Sequence, residues 1–263
     1  MFEAFFGLTG HPFDKSIAPV NMFHSQSFKE LDKRFDYMLD YRGIMVLTGE
    51  SGTGKTCALR HLTHRLSQHF KSVYLPLSTL KPSDFYRYLN NSLQGERAFF
   101  KSDVFKSIQT KILDFALNQK TIPVIIFDEA HLLREENLLE LQLISNIQGD
   151  SYDPAIYILC GQKELLGKLA KPSLSSFAQR INLRHHLEAL SREETEAYIL
   201  HQLKTCNSAE NIFKAGAFDN IYKLSKGTIR LIASISTKAL VLAFLEKRKT
   251  IEAEDIVKLS QEI

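Results

Sequence analysis

The strongest chemical signal in the sequence is a glycine-containing stretch near position 50. It fits the pattern G-x-x-x-x-G-K-[ST], and its members are Gly49, Glu50, Ser51, Gly52, Thr53, Gly54, Lys55 and Thr56. Such glycines let the backbone wrap so that its N–H groups face phosphate oxygens, and the positive end of the following helix adds to the attraction. We expect Lys55 to reach the β- and γ-phosphates of a nucleotide and Thr56 to hold Mg²⁺. We also count the next residue, Cys57, among the nucleotide contacts; an ordinary glycine-rich turn is the alternative interpretation.

A pair of carboxylates follows the apolar run 124–127. Asp128 and Glu129 come directly after that run, which reads as a buried strand. An acidic residue at the carboxyl end of a parallel strand lies where open α/β sheets bind ligands. We expect Asp128 to contact Mg²⁺ and Glu129 to polarise an attacking water as general base, the alternative being a helix cap. His131 completes the letters D-E-A-H, and we interpret it as a solvated or helix-capping side chain.

Two further polar positions follow later strands. Gln162 comes after the predicted strand 155–160 and could reach the γ-phosphate and the attacking water; a loop glutamine without a catalytic role is the alternative. Arg180 and Arg184 flank the strand 181–183, and an arginine from a neighbouring subunit can stabilise charge on a transferred phosphoryl group. We favour Arg180 for that role over Arg184, and a surface salt bridge remains possible for both.

Arg230 lies at the start of a helical pattern in the tail of the chain. It could point back to the γ-phosphate and report the nucleotide state to the tail. A solvated helix arginine is the alternative.

Apolar runs and helical periodicities alternate along most of the chain. Short apolar runs predict buried strands at 44–47, 73–77, 124–127, 155–160 and 181–185. Helical spacing predicts helices at 25–41, 58–69, 104–117, 132–147, 165–169 and 173–179, with Ser83 as the cap of one more. Because each parallel connection needs a crossover, this order predicts an α/β fold with a five-stranded parallel sheet and flanking helices.

The tail shows only helical patterns, at 191–204, 208–224, 228–247 and 252–260. We therefore predict a leader and helix packed on the core at 1–40, an α/β core at 41–188, and a small all-helical domain at 189–263. Within the leader, the aromatic-rich residues 1–24 are broken by Pro12 and Pro19 and read as irregular.

Composition excludes several classes of protein. The 263 residues are 44% apolar and 24% charged, close to the globular average. The longest apolar runs, 122–127 and 239–245, are far shorter than the ~20 residues that span a bilayer, and the start lacks the features of a secretory signal. The three isolated cysteines fit neither a disulfide framework nor a zinc site, so we expect a cytoplasmic protein. The net charge of +3 permits nucleic acid as a partner without requiring it.

The order of these features resembles that of AAA+ ATPases. The resemblance assigns the loop at 49–56 and the acidic pair 128–129 to the ATP site, Gln162 and Arg230 to two sensors, Arg180 to an arginine acting in trans, and the tail to a helical lid. Within that superfamily the chain resembles the ExeA-like group. The residues that carry this likeness are Phe5-Phe6-Gly7-Leu8, Pro12-Phe13, Thr48-Gly49-Glu50, Gly161-Gln162, Glu164-Leu165 and Gln179-Arg180-Ile181.

ExeA-like proteins divide into secretion members, which usually continue into a membrane segment, and stand-alone members that resemble the TniB, TnsC and MuB transposition regulators. Because this sequence stops after the lid, the resemblance implies the second type, with ATP and Mg²⁺ as cofactors. It implies an ATPase that forms a ring or filament of identical subunits on double-stranded DNA and regulates a DDE-type transposase, with no membrane partner. Candidate DNA contacts are Lys81, Lys101, Lys106 and Lys111. A secretion-accessory ATPase and a nucleotide-binding scaffold are the alternatives.

Overall fold

The computed structural model of the chain describes residues 2–14, 17–76, 80–147, 153–208 and 211–259. The chain divides into two compact units. The sheet unit comprises Lys29–Gly49 and Ala58–Leu187, and the helical unit comprises Met1–Phe28, Glu50–Cys57 and Glu188–Ile263. The predicted second strand and two predicted tail helices included Leu77, residues 209–210 and Ser260, which lie outside the described residues.

The sheet unit is built on a parallel sheet of five strands in the order β2-β3-β4-β1-β5. The strands are β1 (Gly43–Gly49), β2 (Phe70–Pro76), β3 (Ile122–Asp128), β4 (Ile156–Gly161) and β5 (Ile181–Leu187). Each of them overlaps a strand predicted from an apolar run, so the predicted five-stranded parallel sheet is confirmed. The central strands are mostly apolar because both of their faces are covered, and in β1 every residue is buried.

The pairing of the central strands brings their carboxyl ends to one edge. Val46 of β1 pairs with Leu159 of β4, which in turn pairs with Phe127 of β3. Since these three residues are register partners, β3 ends at Asp128 and β4 ends at Gly161 at the same edge of the sheet. β1 ends at Gly49, which is the first residue of the glycine stretch.

Except for α1, which lies in the segment that the sequence analysis reads as irregular, the helices follow the predicted order. They are α1 (Phe2–Phe5), α2 (Gln26–Tyr41), α3 (Lys55–His64), α4 (Pro82–Ser92), α5 (Lys101–Leu117), α6 (Glu135–Ser145), α7 (Glu164–Leu169), α8 (Ser175–Gln179), α9 (Arg192–Thr205), α10 (Ala215–Ser225), α11 (Ile229–Leu245) and α12 (Ala253–Leu259). In the sheet unit, Phe85 of α4 stacks on Phe127 of β3 with ring centres 5.9 Å apart, inside a continuous apolar core. Among the described residues, no helix is both long and apolar enough to cross a membrane.

The N-terminal segment packs in the helical unit. Phe6, Leu8 and Phe13 are buried in one apolar cluster with residues of α9 to α12. The described residues up to Phe28 belong to the helical unit, and the packing of 1–40 on the α/β core stays a prediction. These aromatic side chains have no helical or alternating spacing, so the sequence did not reveal which surface they cover.

Two local predictions need correction. Helix α4 begins at Pro82 with Lys81 in the extended capping position, so Ser83 lies inside the first turn and is not the cap. The helix predicted at 208–224 begins only at Ala215, because Phe213 forms a parallel bridge with Ile251. The main-chain N–H of Ile251 donates to the carbonyl of Ile212 at 2.8 Å, which holds that segment extended.

Gly227 tests the packing inside the helical unit. Its φ is +77°, and its position leaves no room for a side chain. A Cβ there would lie 1.9 Å from the carbonyl oxygen of Leu190. We expect Gly227→Ala to lower the free energy of unfolding by about 3 kcal/mol, measured by urea denaturation. The control Gly167→Ala, in α7 with open space around it, should instead raise it by about 0.5–1 kcal/mol. Equal effects of the two substitutions would contradict the packing described for Leu190.

Candidate functional site

The glycine stretch forms a tight loop around one carbonyl oxygen. The carbonyl of Glu50 accepts hydrogen bonds from the main-chain N–H of Thr53 at 3.3 Å, from the Thr53 hydroxyl at 2.9 Å, and from the ammonium group of Lys55 at 2.9 Å. Gly52 and Gly54 adopt φ values of +84° and +99°, which L-residues with a side chain rarely adopt. Lys55 is buried at the start of α3, so its charge is directed into the loop and not outward into solvent.

The start of α11 lies against this loop, within the helical unit. The main-chain N–H of Arg230 donates to the carbonyl of Gly52 at 3.1 Å. A Cβ on Gly52 would lie 2.9 Å from a methyl carbon of Thr228 and 3.0 Å from the Cβ of Arg230. Thr228 makes no side-chain cap, so the Gly52 carbonyl partners one of the unpaired N–H groups of the first helical turn. The structure thus places the predicted sensor Arg230, with an exposed side chain, beside the glycine loop.

The remaining predicted nucleotide contacts lie on the same stretch. Thr56 is exposed in the first turn of α3, as a metal-binding hydroxyl would need to be. Ser51 is exposed in the loop, and Cys57 is partly buried one residue further along α3.

Asp128 ends β3 as a buried carboxylate with defined partners. The hydroxyl of Tyr74 donates to its Oδ2 at 2.5 Å, and the main-chain N–H of Glu129 donates to its Oδ1 at 2.9 Å. Partial burial and this contact with Asp128 raise the pKa of Tyr74 far above its usual value, so the phenol stays a donor. Tyr74 on β2 was missed in the sequence because nothing in the chain order pairs it with Asp128.

Glu129 has a strained main chain and an accessible side chain. Its φ of 56° and ψ of 34° are left-handed, a conformation that costs an ordinary residue about 1–2 kcal/mol. The strain is held by a short 3₁₀ turn at Ala130–Leu132, in which the N–H of Leu132 donates to the Glu129 carbonyl at 2.8 Å. The Glu129 side chain is 46% exposed, as a group that must receive a proton from water requires. Residual strain of this kind is typical of functional positions.

His131 is placed differently from the sequence interpretation. Its side chain is only 13% exposed and lies between Glu129 and Gln162, so it is neither solvated nor a helix cap. Its Nδ1 lies 3.4 Å from Oε2 of Glu129, and its Nε2 lies 3.2 Å from Nε2 of Gln162. The structure thus brings together the predicted base and the predicted first sensor through a residue given no role in the sequence analysis. The letters D-E-A-H were the only signal that could have indicated it.

Arg180 lies directly before β5, as predicted, whereas Arg184 lies inside the strand, where it pairs with Val46 of β1, and does not flank it. Arg180 is the C-cap residue that follows α8, and it is partly buried. The Arg184 side chain donates to the carbonyl of Ala178 at 3.2 Å, and the main-chain carbonyl of Arg184 accepts from Arg34 at 2.7 Å. Arg184 is thus engaged within its own chain. The preference for Arg180 as the arginine that acts in trans stays a prediction.

Two of the candidate DNA-binding lysines have acidic partners. Lys101 pairs with Glu140 at 2.5 Å, and Lys111 pairs with Asp114 at 3.3 Å. Lys106, on the same helix α5, is exposed and forms no ion pair with any described residue. Lys81 is exposed at the start of α4. The charges available to a phosphate backbone are therefore fewer than the sequence suggests.

The AAA domain family matches residues 38–169, half of the chain. The chain belongs to the AAA family. This AAA protein is 32% identical over 268 residues to General secretion pathway protein A of Aeromonas hydrophila. That match takes in 100% of the AAA chain and 48% of the relative, so the chain spans about half the length of the curated relative it matches.

Solved structures share the fold of this AAA protein. The ORC2 protein of Aeropyrum pernix, in its ADPNP–ADP complexes, superposes with a TM-score of 0.70 at 14% identity, covering 96% of this chain and 71% of that chain. The Aeropyrum pernix ORC1 protein in complex with DNA gives a TM-score of 0.66 at 12% identity, covering 95% and 68%. At such identities the likeness establishes the fold alone. The predicted AAA+ fold, with its parallel sheet and helical lid, is confirmed, and that fold implies nucleotide binding.

The residues present suit ATP and Mg²⁺. The glycine loop offers positive-φ glycines and an ammonium group, and Asp128 and Thr56 offer the oxygen ligands that Mg²⁺ prefers. Across the described ranges, no cluster of three or more His, Cys, Asp or Glu side chains could hold a metal ion by itself.

The contact between Tyr74 and Asp128 gives a measurable prediction. We expect Tyr74→Phe to lower the free energy of unfolding by about 1 kcal/mol, because it removes a hydrogen-bond donor to the buried Asp128 carboxylate. The loss is modest because Tyr74 itself is half-exposed. Urea denaturation measures the loss. The control is Tyr88→Phe on α4, whose hydroxyl has no hydrogen-bond partner among the described residues. A loss of similar size in both variants would show that the hydroxyl of Tyr74 does not stabilise Asp128.

Proposed function

We propose that this AAA protein hydrolyses ATP to ADP and phosphate and uses the bound nucleotide to switch between assembly states. The observation that carries the proposal is the loop at 50–55, with its two left-handed glycines and the buried Lys55 ammonium directed at the Glu50 carbonyl. A loop of this sequence and shape presents main-chain N–H groups to phosphate oxygens. Membership of the AAA family supports the same assignment.

In the proposed reaction, the loop at 49–56 and Lys55 bind the β- and γ-phosphates, while Thr56 and Asp128 hold Mg²⁺. When bound, Mg²⁺ neutralises charge on the phosphate oxygens. Glu129 takes a proton from a water molecule as that water's oxygen bonds to the γ-phosphorus. The bond between the γ-phosphorus and the bridging oxygen then breaks, which leaves ADP and phosphate.

The sensors and the arginine in trans connect hydrolysis to assembly. Gln162 and Arg230 would contact the γ-phosphate, and Arg180 would come from a neighbouring copy of the chain. Since that contact exists only while ATP is bound between two copies, ATP favours the ring or filament. Loss of the γ-phosphate removes the contact and loosens the assembly.

Two variants separate binding from hydrolysis. Lys55→Ala should weaken binding of a slowly hydrolysed ATP analogue about 10- to 100-fold, since a charge-assisted contact to phosphate is lost. Glu129→Gln should keep that affinity while kcat falls about 10²- to 10⁴-fold, because the general base is gone, and it should accumulate the assembled state. Calorimetry and phosphate release measure these effects. Hydrolysis by Glu129→Gln at the wild-type rate would rule out Glu129 as the base.

For the target of the switch we propose double-stranded DNA, bound mainly through its phosphates, and a DDE-type transposase as partner. The support is the likeness in fold to the ORC1 protein solved in complex with DNA, and the resemblance of the sequence to transposition regulators. Lys106 and Lys81 are the preferred contacts, since Lys101 and Lys111 have acidic partners.

A role as a secretion-accessory ATPase is the second candidate. It is favoured by the 32% identity to General secretion pathway protein A across the whole of this chain. Such a protein would respond to a component of the cell envelope and not to DNA.

Duplex DNA distinguishes these candidates. We expect DNA binding only with the slowly hydrolysed ATP analogue, a steep loss of affinity with salt, and rings or filaments on DNA in electron micrographs. Lys106→Ala should reduce the salt slope by about 1, whereas the control Lys111→Ala, whose ammonium group pairs with Asp114, should leave it nearly unchanged. Hydrolysis that is indifferent to DNA, with no DNA-bound assembly, would reject DNA as the target and favour the secretion role.

A further inference from the structure

The side chain of His131 joins two groups that the proposed reaction uses separately. Its Nδ1 lies 3.4 Å from Oε2 of Glu129, and the main-chain N–H of Gln162 also points to Nδ1 at 3.4 Å. Its Nε2 lies 3.2 Å from the side-chain nitrogen of Gln162. One imidazole therefore contacts the proposed base on one side and the proposed first sensor on the other.

The main chain around His131 is held in place. The ammonium group of Lys168 donates to the carbonyl of Leu133 at 2.7 Å and also to the carbonyl of His131. A Cβ on Gly161 would lie 3.0 Å from the main-chain nitrogen of His131, so a glycine at the end of β4 allows this close approach. The imidazole is thereby fixed with respect to the end of β4, where Gln162 begins.

The two nitrogens of a neutral imidazole have opposite roles, because one donates a hydrogen bond and the other accepts one. With the proton on Nδ1, the ring donates to the Glu129 carboxylate, and Nε2 accepts from the Gln162 amide. With the proton on Nε2, Nδ1 accepts from the Gln162 main chain and presents a lone pair to the carboxylate. The first arrangement gives up the bond from the Gln162 main-chain N–H to Nδ1 and gains a donor that faces the charged Glu129 carboxylate, 3.4 Å from Nδ1. It is favoured, because a bond to a charged acceptor is about twice as strong as a neutral one.

We propose that His131 is a positioning residue that orients the Glu129 carboxylate and ties its position to that of Gln162. Hydrogen bonds then run in one direction, from the Gln162 amide to Nε2 of His131 and from Nδ1 of His131 to Glu129. When Gln162 contacts the γ-phosphate, a shift of its side chain moves the imidazole to which it is hydrogen-bonded. The imidazole in turn shifts the Glu129 carboxylate. The inference rests on the proposed ATPase function, and it gives a role to a side chain outside the phosphate and metal contacts.

Two substitutions of similar size separate hydrogen bonding from packing. The side-chain amide of asparagine in His131→Asn can donate from near the position of Nδ1, whereas His131→Leu fills the space without a donor. We expect His131→Leu to lower kcat about 10- to 100-fold with KM and the affinity for a slowly hydrolysed ATP analogue nearly unchanged, since the base is misplaced and the phosphate contacts remain. His131→Asn should restore most of the lost kcat.

The outcomes separate the inference from the function on which it rests. If wild-type protein hydrolyses ATP and His131→Leu does so equally fast, or faster than His131→Asn, the inference is overturned and the ATPase function stands. If wild-type protein neither binds nor hydrolyses ATP, both are overturned. Thermal unfolding checks that each variant is folded.

A spectroscopic measurement tests the role of His131 even if His131→Leu fails to fold. In ¹⁵N-histidine NMR of the wild-type chain without nucleotide, the His131 signal, assigned through His131→Asn, should show the proton on Nδ1. A proton on Nε2 would overturn the inference, because the ring would then offer Glu129 no donor.

Discussion

The candidate site depends on one constraint, which is the parallel pairing of β3, β4 and β1 in a fixed register. Hydrogen bonds between parallel strands fix each strand against its neighbour, so Phe127, Leu159 and Val46 stand side by side. Because the strands run in one direction, their carboxyl ends emerge together. Asp128 and Gly161 are thereby brought to one edge although 33 positions separate them in the chain. Both faces of β1 are covered along its whole length, and its one polar side chain, Thr48, is hydrogen-bonded to β5.

The candidate catalytic and phosphate-binding residues lie just after strands, where the main chain adopts positive φ values. Glu129 is left-handed immediately after β3, and Gly52 and Gly54 have positive φ after β1. Each strained segment is held by a specific contact: the Leu132 N–H on the Glu129 carbonyl, and the Arg230 N–H on the Gly52 carbonyl. Such contacts keep functional groups at set positions without a bound ligand, which reduces the ordering that a ligand would have to impose.

Local patterns in the sequence predicted much of the fold and part of the site. Continuous apolar runs identified β1, β3 and β4 because these strands are buried on both faces. The glycine-lysine pattern and the acidic pair 128–129 identified candidate phosphate and metal contacts because their chemistry lies in adjacent residues. Tyr74 and the placement of His131 escaped prediction, since each depends on a neighbour from a distant segment: Asp128 for Tyr74 and Gln162 for His131.

The sequence by itself determined the kinds of elements, their order and the chemical groups at strand ends, because periodicity and motif spacing are local properties of the chain. Only the tertiary structure decided which strands are neighbours, where the aromatic N-terminal segment packs, and that an imidazole lies between Glu129 and Gln162. The physical reason is that such contacts arise from packing of segments remote in sequence. Their partners are chosen by shape and burial in the folded chain, for which a single sequence carries no local signal.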